Sequence, residues 1–591
     1  MSSLRFAPIS KKNYTARNVG KHYQSLFLML GITLVMFGGI GSRLAYLQIV
    51  RGSQYRQQAD NNRIRVIPKQ PERGNIFDRN GKILASSRLS HAVYVWPMAP
   101  KKVEWAATKA RLAQILHTPE AEIQKRLEKA GYNSSTLVRV ARDLNPAQIT
   151  ALAEYHNQLR DVEVYIEAVR EYPNGELASH VLGYTGEMSD HELVKKRKQG
   201  YRLGDVVGQM GVEAAFEQQL RGEWGGQQVE VDGKGRIIQI LGAKQAKTGQ
   251  DVYLTIDINL QIAAEKALGD RQGAIIALNP TNGAVLAMVS RPAFNPNIFT
   301  KRIAPAQWKS LQSKDHPFVN RALRGFPPAS TFKIITTTAG LESGKFAPTT
   351  VLPTYACMNI GGTTFCDWNR AGFGPLGFAG ALAHSSDTFF YQIGRGIGGP
   401  TLIDWTRRYG FGKKTGIELG AEEARGLVAD AKWKQENLDL PWSVGDTINM
   451  SIGQGFLQVS PLQTARMFAV PANGGYLVQP HLLKNNETAK TWRKSLNLKP
   501  DTIRVLRQGL RQVVDGGTGR ALNAPTIPPA SGKSGTAEAF GNKSHTWFGG
   551  YAPSSKPEIV VVAFAEHSGG GGGKLCAPMV LQVMEAYFKK K

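Results

Sequence analysis

A serine and a lysine three positions apart, Ser330 and Lys333, lie in the stretch "GFPPASTFKIITTT", shortly after two prolines. A serine hydroxyl is a weak nucleophile at neutral pH until a neighbouring base takes its proton. On a helix, positions i and i+3 share a face, so the Lys333 amine can reach that hydroxyl. Proline suits the first helical turn, where its missing N–H costs nothing, and the unpaired N–H groups there favour a developing negative charge. The segment "TFKIITTT" is rich in β-branched residues and by propensity alone reads as a strand. A helix buried on all sides tolerates such residues, and Gly344 supplies its stop. Taken alone, the pair is outweighed by a plainer reading, a surface serine beside a solvated lysine.

Two further clusters reverse that weighing. "HSSDTFFYQIG" supplies Ser385 and Asp387 in a Ser-x-Asp pattern, and "SGKSGTAEA" supplies Lys533, Ser534, Gly535 and Thr536 on an expected strand. In this order the three clusters resemble the S-x-x-K, S-D-N and K-T-G signature of penicillin-recognising serine enzymes. The resemblance implies that Ser330 attacks a carbonyl and forms an acyl-enzyme. Lys333, its pKa lowered by burial and by Lys533, is then the favoured base. Ser385 passes a proton between the lysines and the leaving amine. Lys533 and the hydroxyls of Ser534 and Thr536 hold a substrate carboxylate, while Gly535 lets the substrate backbone lie against the strand edge. The backbone N–H groups of Ser330 and Thr536 form the oxyanion hole. An ionised Asp387 accepts hydrogen bonds only, so its substrate contact is expected to be an N–H. No cofactor or metal is called for.

These residues need a scaffold, and the chain is long enough for several domains at 591 residues. From Ser25 to Gly41 it reads "SLFLMLGITLVMFGGIG", continued after Arg43 by "LAYLQIV", which together reach the roughly 20 residues needed to cross a bilayer. Arg5, Lys11, Lys12, Arg17 and Lys21 precede it with no acidic residue, which keeps the N-terminus in the cytoplasm. The apolar part is too long for a cleaved signal peptide and no small-x-small site follows it, so a retained single-pass anchor is expected. The net charge of +27 is spread along the chain without a basic-aromatic pattern, which argues against nucleic acid as a partner.

Beyond the anchor, "EWAATKARLAQILHT" and "PEAEIQKRLEKAGY" have helical periodicity, whereas "HAVYVWP" and "VEVYIEAVREYP" alternate as strands. A boundary is expected at "KQAKTGQ", Lys244 to Gln250, before a strand-like "DVYLTI". Then come the apolar strands "GAIIALNP" and "GAVLAMVS" joined through "NPTNG", three late strands and a terminal helix in "APMVLQVMEAYFKK". Strands at both ends with helices between them predict one antiparallel sheet covered by helices, an α+β architecture. Among the three cysteines, Cys357 and Cys366 are spaced to bridge a small loop if the compartment is oxidising, leaving Cys576 free. A metal site built from both cysteines with Asp367 and His384 matches no familiar ligand spacing and is weaker than either a disulfide or two free thiols.

"PERGNIFDRNGKILA" (Pro71 to Ala85), "GQMGVEAAFEQQLRG" (Gly208 to Gly222) and "SIGQGFLQVSPLQTA" (Ser451 to Ala465) resemble the class B penicillin-binding proteins, and the match covers nearly the whole chain. Asp387 in "SSDTFFYQ", together with "KSGTAEAFG" and "FCDWNRAGFG", resembles the elongation type; the division type more often carries Asn at position 387. The resemblance implies a cytoplasmic tail (1–24), an anchor (25–47), an elongated α+β pedestal (48–245) and a serine β-lactamase-like transpeptidase domain (250–591). It implies acylation by the D-Ala-D-Ala end of a peptidoglycan stem peptide, transfer to an amine of a neighbouring stem, and inhibition by β-lactams. It also implies location in the bacterial inner membrane with the catalytic part on the periplasmic side. The partners expected are a SEDS-type membrane glycosyltransferase and other elongation-complex proteins. The competing readings are a division-type enzyme, a D,D-carboxypeptidase or β-lactamase-like hydrolase, and a penicillin-sensing receptor, for which the cytoplasmic tail is too short. One departure stands out: "PPAS" replaces the usual Pro-Gly-Ser, a loss of glycine expected to leave the helix start intact.

Overall fold

The structure, a computed structural model, describes residues 16–589 apart from 133, 135, 232–236, 302, 304 and 540. Arg5, Lys11 and Lys12 of the basic tail lie outside the described residues. Helix α1 (Ala16–Ala45) runs on through Tyr46–Val50 in π-helical form. The stretch Tyr23–Val50 is long and apolar enough to cross a membrane, and none of its most apolar window is buried against the rest of the chain. A helix whose apolar side chains all face outward needs an apolar solvent.

Past the anchor, strand Ile64–Lys69 pairs antiparallel with Gly225–Val231, which pairs in turn with Ile237–Lys244. A second sheet is built on the long strand Ile83–Val95, flanked by Val138–Ala141 and Val162–Glu171. Val93, Val95, Trp105, Leu112, Ile123 and Leu127 bury one face of it beneath the helices Trp105–Leu116 and Glu120–Ala130. Of "DVYLTI", only Val252–Tyr253 is a strand, and it joins this sheet beside Ile76–Phe77 while Leu254 bridges to Leu483. The segment therefore ties the pedestal to the C-terminal part of the chain.

The "PERG" and "QMGVE" segments meet in the pedestal. Glu213, fully buried, accepts from Arg73 Nε and Arg170 Nε, each at 2.6 Å. Burial pushes the Glu213 carboxyl up, but the two guanidiniums overcome it and hold it below the ordinary range.

The C-terminal part is built on a five-stranded antiparallel sheet of β1 (Gly273–Leu278), β2 (Val285–Arg291), β3 (Ser531–Ala537), β4 (His545–Ala552) and β5 (Ile559–Ala565), in the order β2-β1-β5-β4-β3. The strands β1, β4 and β5 are buried throughout, so the sheet is covered on both faces, as continuous apolar runs require. The elements that position the site are α2 (Lys333–Glu342), α3 (Phe378–His384), α4 (Asp387–Ile397) and the C-terminal α5 (Gly572–Lys589). The β-branched α2 is a helix because every residue from Lys333 to Leu341 is buried. Two of its threonines satisfy their hydroxyls inside the core, Thr336 on the Ser451 carbonyl and Thr338 on the Ile334 carbonyl and the Tyr409 hydroxyl.

Candidate active site

Ser330 sits one turn earlier than a regular helix start, in the 3₁₀ turn Ala329–Phe332 that leads into α2. The "SIGQG" segment pins this turn: Ala329 N–H donates to the Gly453 carbonyl at 3.0 Å, and Phe326 and Val459 exchange two backbone bonds. Gly453 has φ +77°, and a Cβ there would stand 2.2 Å from the Ala329 carbonyl oxygen, so only glycine fits. Ala329 itself is buried at φ +49°, in the left-handed region. The helix start is intact, yet alanine occupies a backbone position that suits the glycine of the usual motif, at a cost of about 1–2 kcal/mol.

No hydrogen bond joins Lys333 to Ser330 in this arrangement. Its fully buried amine donates to the Ser385 carbonyl at 2.8 Å, to Ser385 Oγ at 3.3 Å and to Asp387 Oδ1 at 2.6 Å. Among the described residues the Ser330 hydroxyl has no hydrogen-bond partner. A carboxylate thus meets the lysine amine. Two residues 54 positions apart give no sequence signal of such a pairing.

Lys533, on edge strand β3, is also fully buried and donates to Ser385 Oγ at 2.8 Å and to the Ser534 carbonyl at 3.0 Å. Ser385, held at φ +58° at the end of α3, therefore stands between the two amines. Burial first, and then the charge of Lys333, push the Lys533 amine well below its ordinary 10.5, while Asp387 acts in the other direction.

Between that depressed value and 10.5, the unfolded chain carries a proton at Lys533 that the folded chain lacks. Stability therefore rises with pH across this window and is lost as pH falls through it. Lys533→Met is expected to become progressively more stable relative to the parent as pH is lowered through the same window. Thermal unfolding at constant ionic strength checks this; a Tm difference independent of pH contradicts it.

The rest of β3 divides its contacts differently from the sequence reading. Ser534 Oγ lies 2.7 Å from Thr518 Oγ1, a residue of the "GGTG" turn that sequence reasoning passes over. Thr536 is exposed, and its Oγ1 accepts from the Gly572 N–H at 3.4 Å at the start of α5. A Cβ on Gly535 would lie 3.1 Å from the Pro328 carbonyl and 3.2 Å from Thr331 Cγ2. Its lack of a side chain lets the nucleophile turn pack onto β3, a structural reason beside the expected one of admitting substrate. The same packing brings Ser330 and Thr536 to one edge.

Cys357 and Cys366 are joined by a disulfide across the two-stranded hairpin Cys357–Ile360 and Thr363–Cys366, and Cys576 is free and buried. They are not thiolate ligands, and among the described residues no group of three or more His, Cys, Asp or Glu side chains could hold a metal ion. Asp367, buried beside the disulfide, accepts from Ser386 and Thr388 at the start of α4.

Residues 273–585 match the model of the penicillin binding protein transpeptidase domain, and residues 68–254 that of the penicillin-binding protein dimerisation domain. The chain is 33% identical to the peptidoglycan D,D-transpeptidase MrdA of Acinetobacter baumannii, over 94% of this chain and 86% of that one. It superposes on the Helicobacter pylori penicillin-binding protein PBP2, solved in complex with MreC, with TM-score 0.77 at 27% identity, covering 89% and 99% of the two chains. A further structure, described as the structural coordination of polymerization and crosslinking by a peptidoglycan synthase complex, gives TM-score 0.70 at 33% identity over 96% and 98%.

Proposed function

The chain belongs to the class B penicillin-binding proteins of the elongation type, and from that premise we propose how its residues carry out the reaction. It is a peptidoglycan D,D-transpeptidase that crosslinks stem peptides as the wall elongates. Ser330 Oγ attacks the carbonyl of the penultimate D-Ala of a donor stem, and the peptide bond to the terminal D-Ala breaks. An amine of a neighbouring stem then attacks the ester and regenerates the hydroxyl.

The observation that carries the assignment is the chain of contacts from Lys333 Nζ through Ser385 Oγ to Lys533 Nζ, 3.3 and 2.8 Å long. Burial and the charge of Lys333 disfavour a proton on the Lys533 amine. Lys333 can pass its proton through Ser385 to Lys533 and then receive the one from Ser330. Ser385 returns a proton to the leaving D-Ala amine. The N–H groups of Ser330 and Thr536 stabilise the oxyanion. Thr536 and the Ser534 hydroxyl receive the terminal carboxylate, with Lys533 behind them lending charge. Asp387 keeps Lys333 in place and accepts an N–H from the donor.

The chain is anchored in a membrane through α1. We place its N-terminus in the cytoplasm and its catalytic part on the periplasmic face of the inner membrane; the Cys357–Cys366 disulfide, which persists outside the reducing cytosol, supports this orientation. It works within a wall-synthesis complex, and the polymerase that supplies glycan strands is proposed to be a SEDS-type glycosyltransferase. Incubating the purified protein with lipid-linked precursor and a glycan polymerase is expected to give crosslinked stems, which penicillin abolishes. Free D-Ala without crosslinks makes the chain a carboxypeptidase instead.

A further inference from the structure

We infer that Asp367 is a positioning residue for acylation, and that the disulfide-closed hairpin beside it is the clamp that fixes the Ser385–Asp387 segment. This rests on the acylation centre proposed above. Ser385 and Asp387 each contact Lys333, yet they lie on a tight junction between α3 and α4 with Ser385 in a left-handed conformation. Such a junction keeps its geometry only if its surroundings over-determine it.

The surroundings are supplied by residues 353–368. Asp367 Oδ2 accepts from Ser386 Oγ at 2.8 Å, from Thr388 N–H at 3.1 Å and from Thr388 Oγ1 at 3.1 Å. Its side chain is buried and, among the described residues, has no ion-pair partner. Its charge is met by the N-terminus of α4 and by hydroxyl donors, an arrangement that ties the carboxylate to the helix end. Four more bonds close the clamp: Tyr355 N–H to Thr388 Oγ1 at 3.2 Å, Gln392 Nε2 to the Pro353 carbonyl at 2.9 Å, Tyr391 hydroxyl to the Cys366 carbonyl at 3.4 Å, and Trp368 Nε1 to the His384 carbonyl at 3.1 Å.

Along the chain, Asp367 comes directly after Cys366. Its own N–H donates to the Ala356 carbonyl at 2.8 Å, so the strand register Cys357↔Cys366 and the disulfide fix where the carboxylate stands. Neighbouring residues on both sides of Ser385 are therefore held from one hairpin. Opening the hairpin loosens the relay between the lysines without removing any of its members.

Labelled β-lactam separates this from a merely structural role, because noncovalent affinity and the rate of the covalent step are measured independently. Asp367→Ala is expected to slow the covalent step by about 100-fold with affinity little changed, the loss typical of a displaced reacting group. Asp367→Asn, which keeps one acceptor oxygen, recovers most of the rate. Reducing the disulfide slows the same step, and the double variant Cys357→Ser with Cys366→Ser is slow from the outset and indifferent to reductant. A folded Asp367→Ala protein that acylates at the parental rate overturns the inference. Where Asp367→Ala does not fold, Thr388→Val carries the test, and an unchanged covalent rate in it overturns the inference equally. Ser330→Ala run in parallel tells the two levels apart: if it still becomes labelled, the acylation centre itself is misassigned, whereas a silent Ser330→Ala beside a normal Asp367→Ala removes only the clamp.

Discussion

Ser330→Ala is expected to yield a folded protein that forms neither a covalent β-lactam adduct nor crosslinks. The half-buried hydroxyl has no hydrogen-bond partner among the described residues, and the turn that carries it is held by backbone bonds from Gly453 and Val459. Its removal leaves no orphaned donor, so stability should change by no more than about 0.5 kcal/mol. The two other serines of the site are engaged elsewhere: Ser385 is held between two amines and Ser534 is bonded to Thr518. Fluorescent penicillin labelling together with a thermal melt checks both halves. Normal labelling of the alanine variant, or its failure to fold, contradicts the expectation.

Lys333→Met carries the second large effect and separates catalysis from stability. Methionine fills most of the fully buried volume but leaves Asp387, whose side chain is 16% exposed, without its ion-pair partner. Losing one partner of such a pair is expected to cost about 3 kcal/mol, and losing the base should slow acylation by about 10³-fold. Adding Asp387→Asn removes the stranded charge, so the double variant should regain most of the stability and none of the rate. Thermal unfolding and stopped-flow acylation read the two quantities. A double variant that recovers both would show that Lys333 serves the fold alone.

Much of this is readable from one sequence because the chemistry is local. "FPPASTFK" puts nucleophile and lysine within one turn, and "SSD" and "KSGT" carry their residues on a helix start and an edge strand. The hairpin of β1 and β2 is legible from "NPTNG" between two apolar runs, and the terminal helix from its periodicity. What stays hidden is pairing across long separations. Nothing in the sequence says that Lys333 meets Asp387, that Ser534 meets Thr518, or that Asp367 reaches Thr388, since side-chain contact depends on how α2, α3, α4 and β3 converge. Gly535 is a related case: a missing side chain shows that something approaches closely but not what, and here the Pro328 carbonyl does. Local propensity also misleads in "TFKIITTT", where burial on every side outweighs the strand preference of threonine and isoleucine. The disulfide is legible as a possibility, and its link to α4 is not, because Asp367 shows itself only once Cys366 is placed.

The central claim is that one serine, Ser330, carries the acyl group while Lys333, Ser385 and Lys533 move the protons. The most direct measurement is mass-spectrometric mapping of protein trapped with penicillin and digested to peptides. A single penicilloyl adduct is predicted, on the peptide bearing Ser330, formed at a rate that collapses in Lys333→Met. An adduct on Ser385, Ser534 or any other residue, or a Ser330 adduct formed at the parental rate without Lys333, contradicts it.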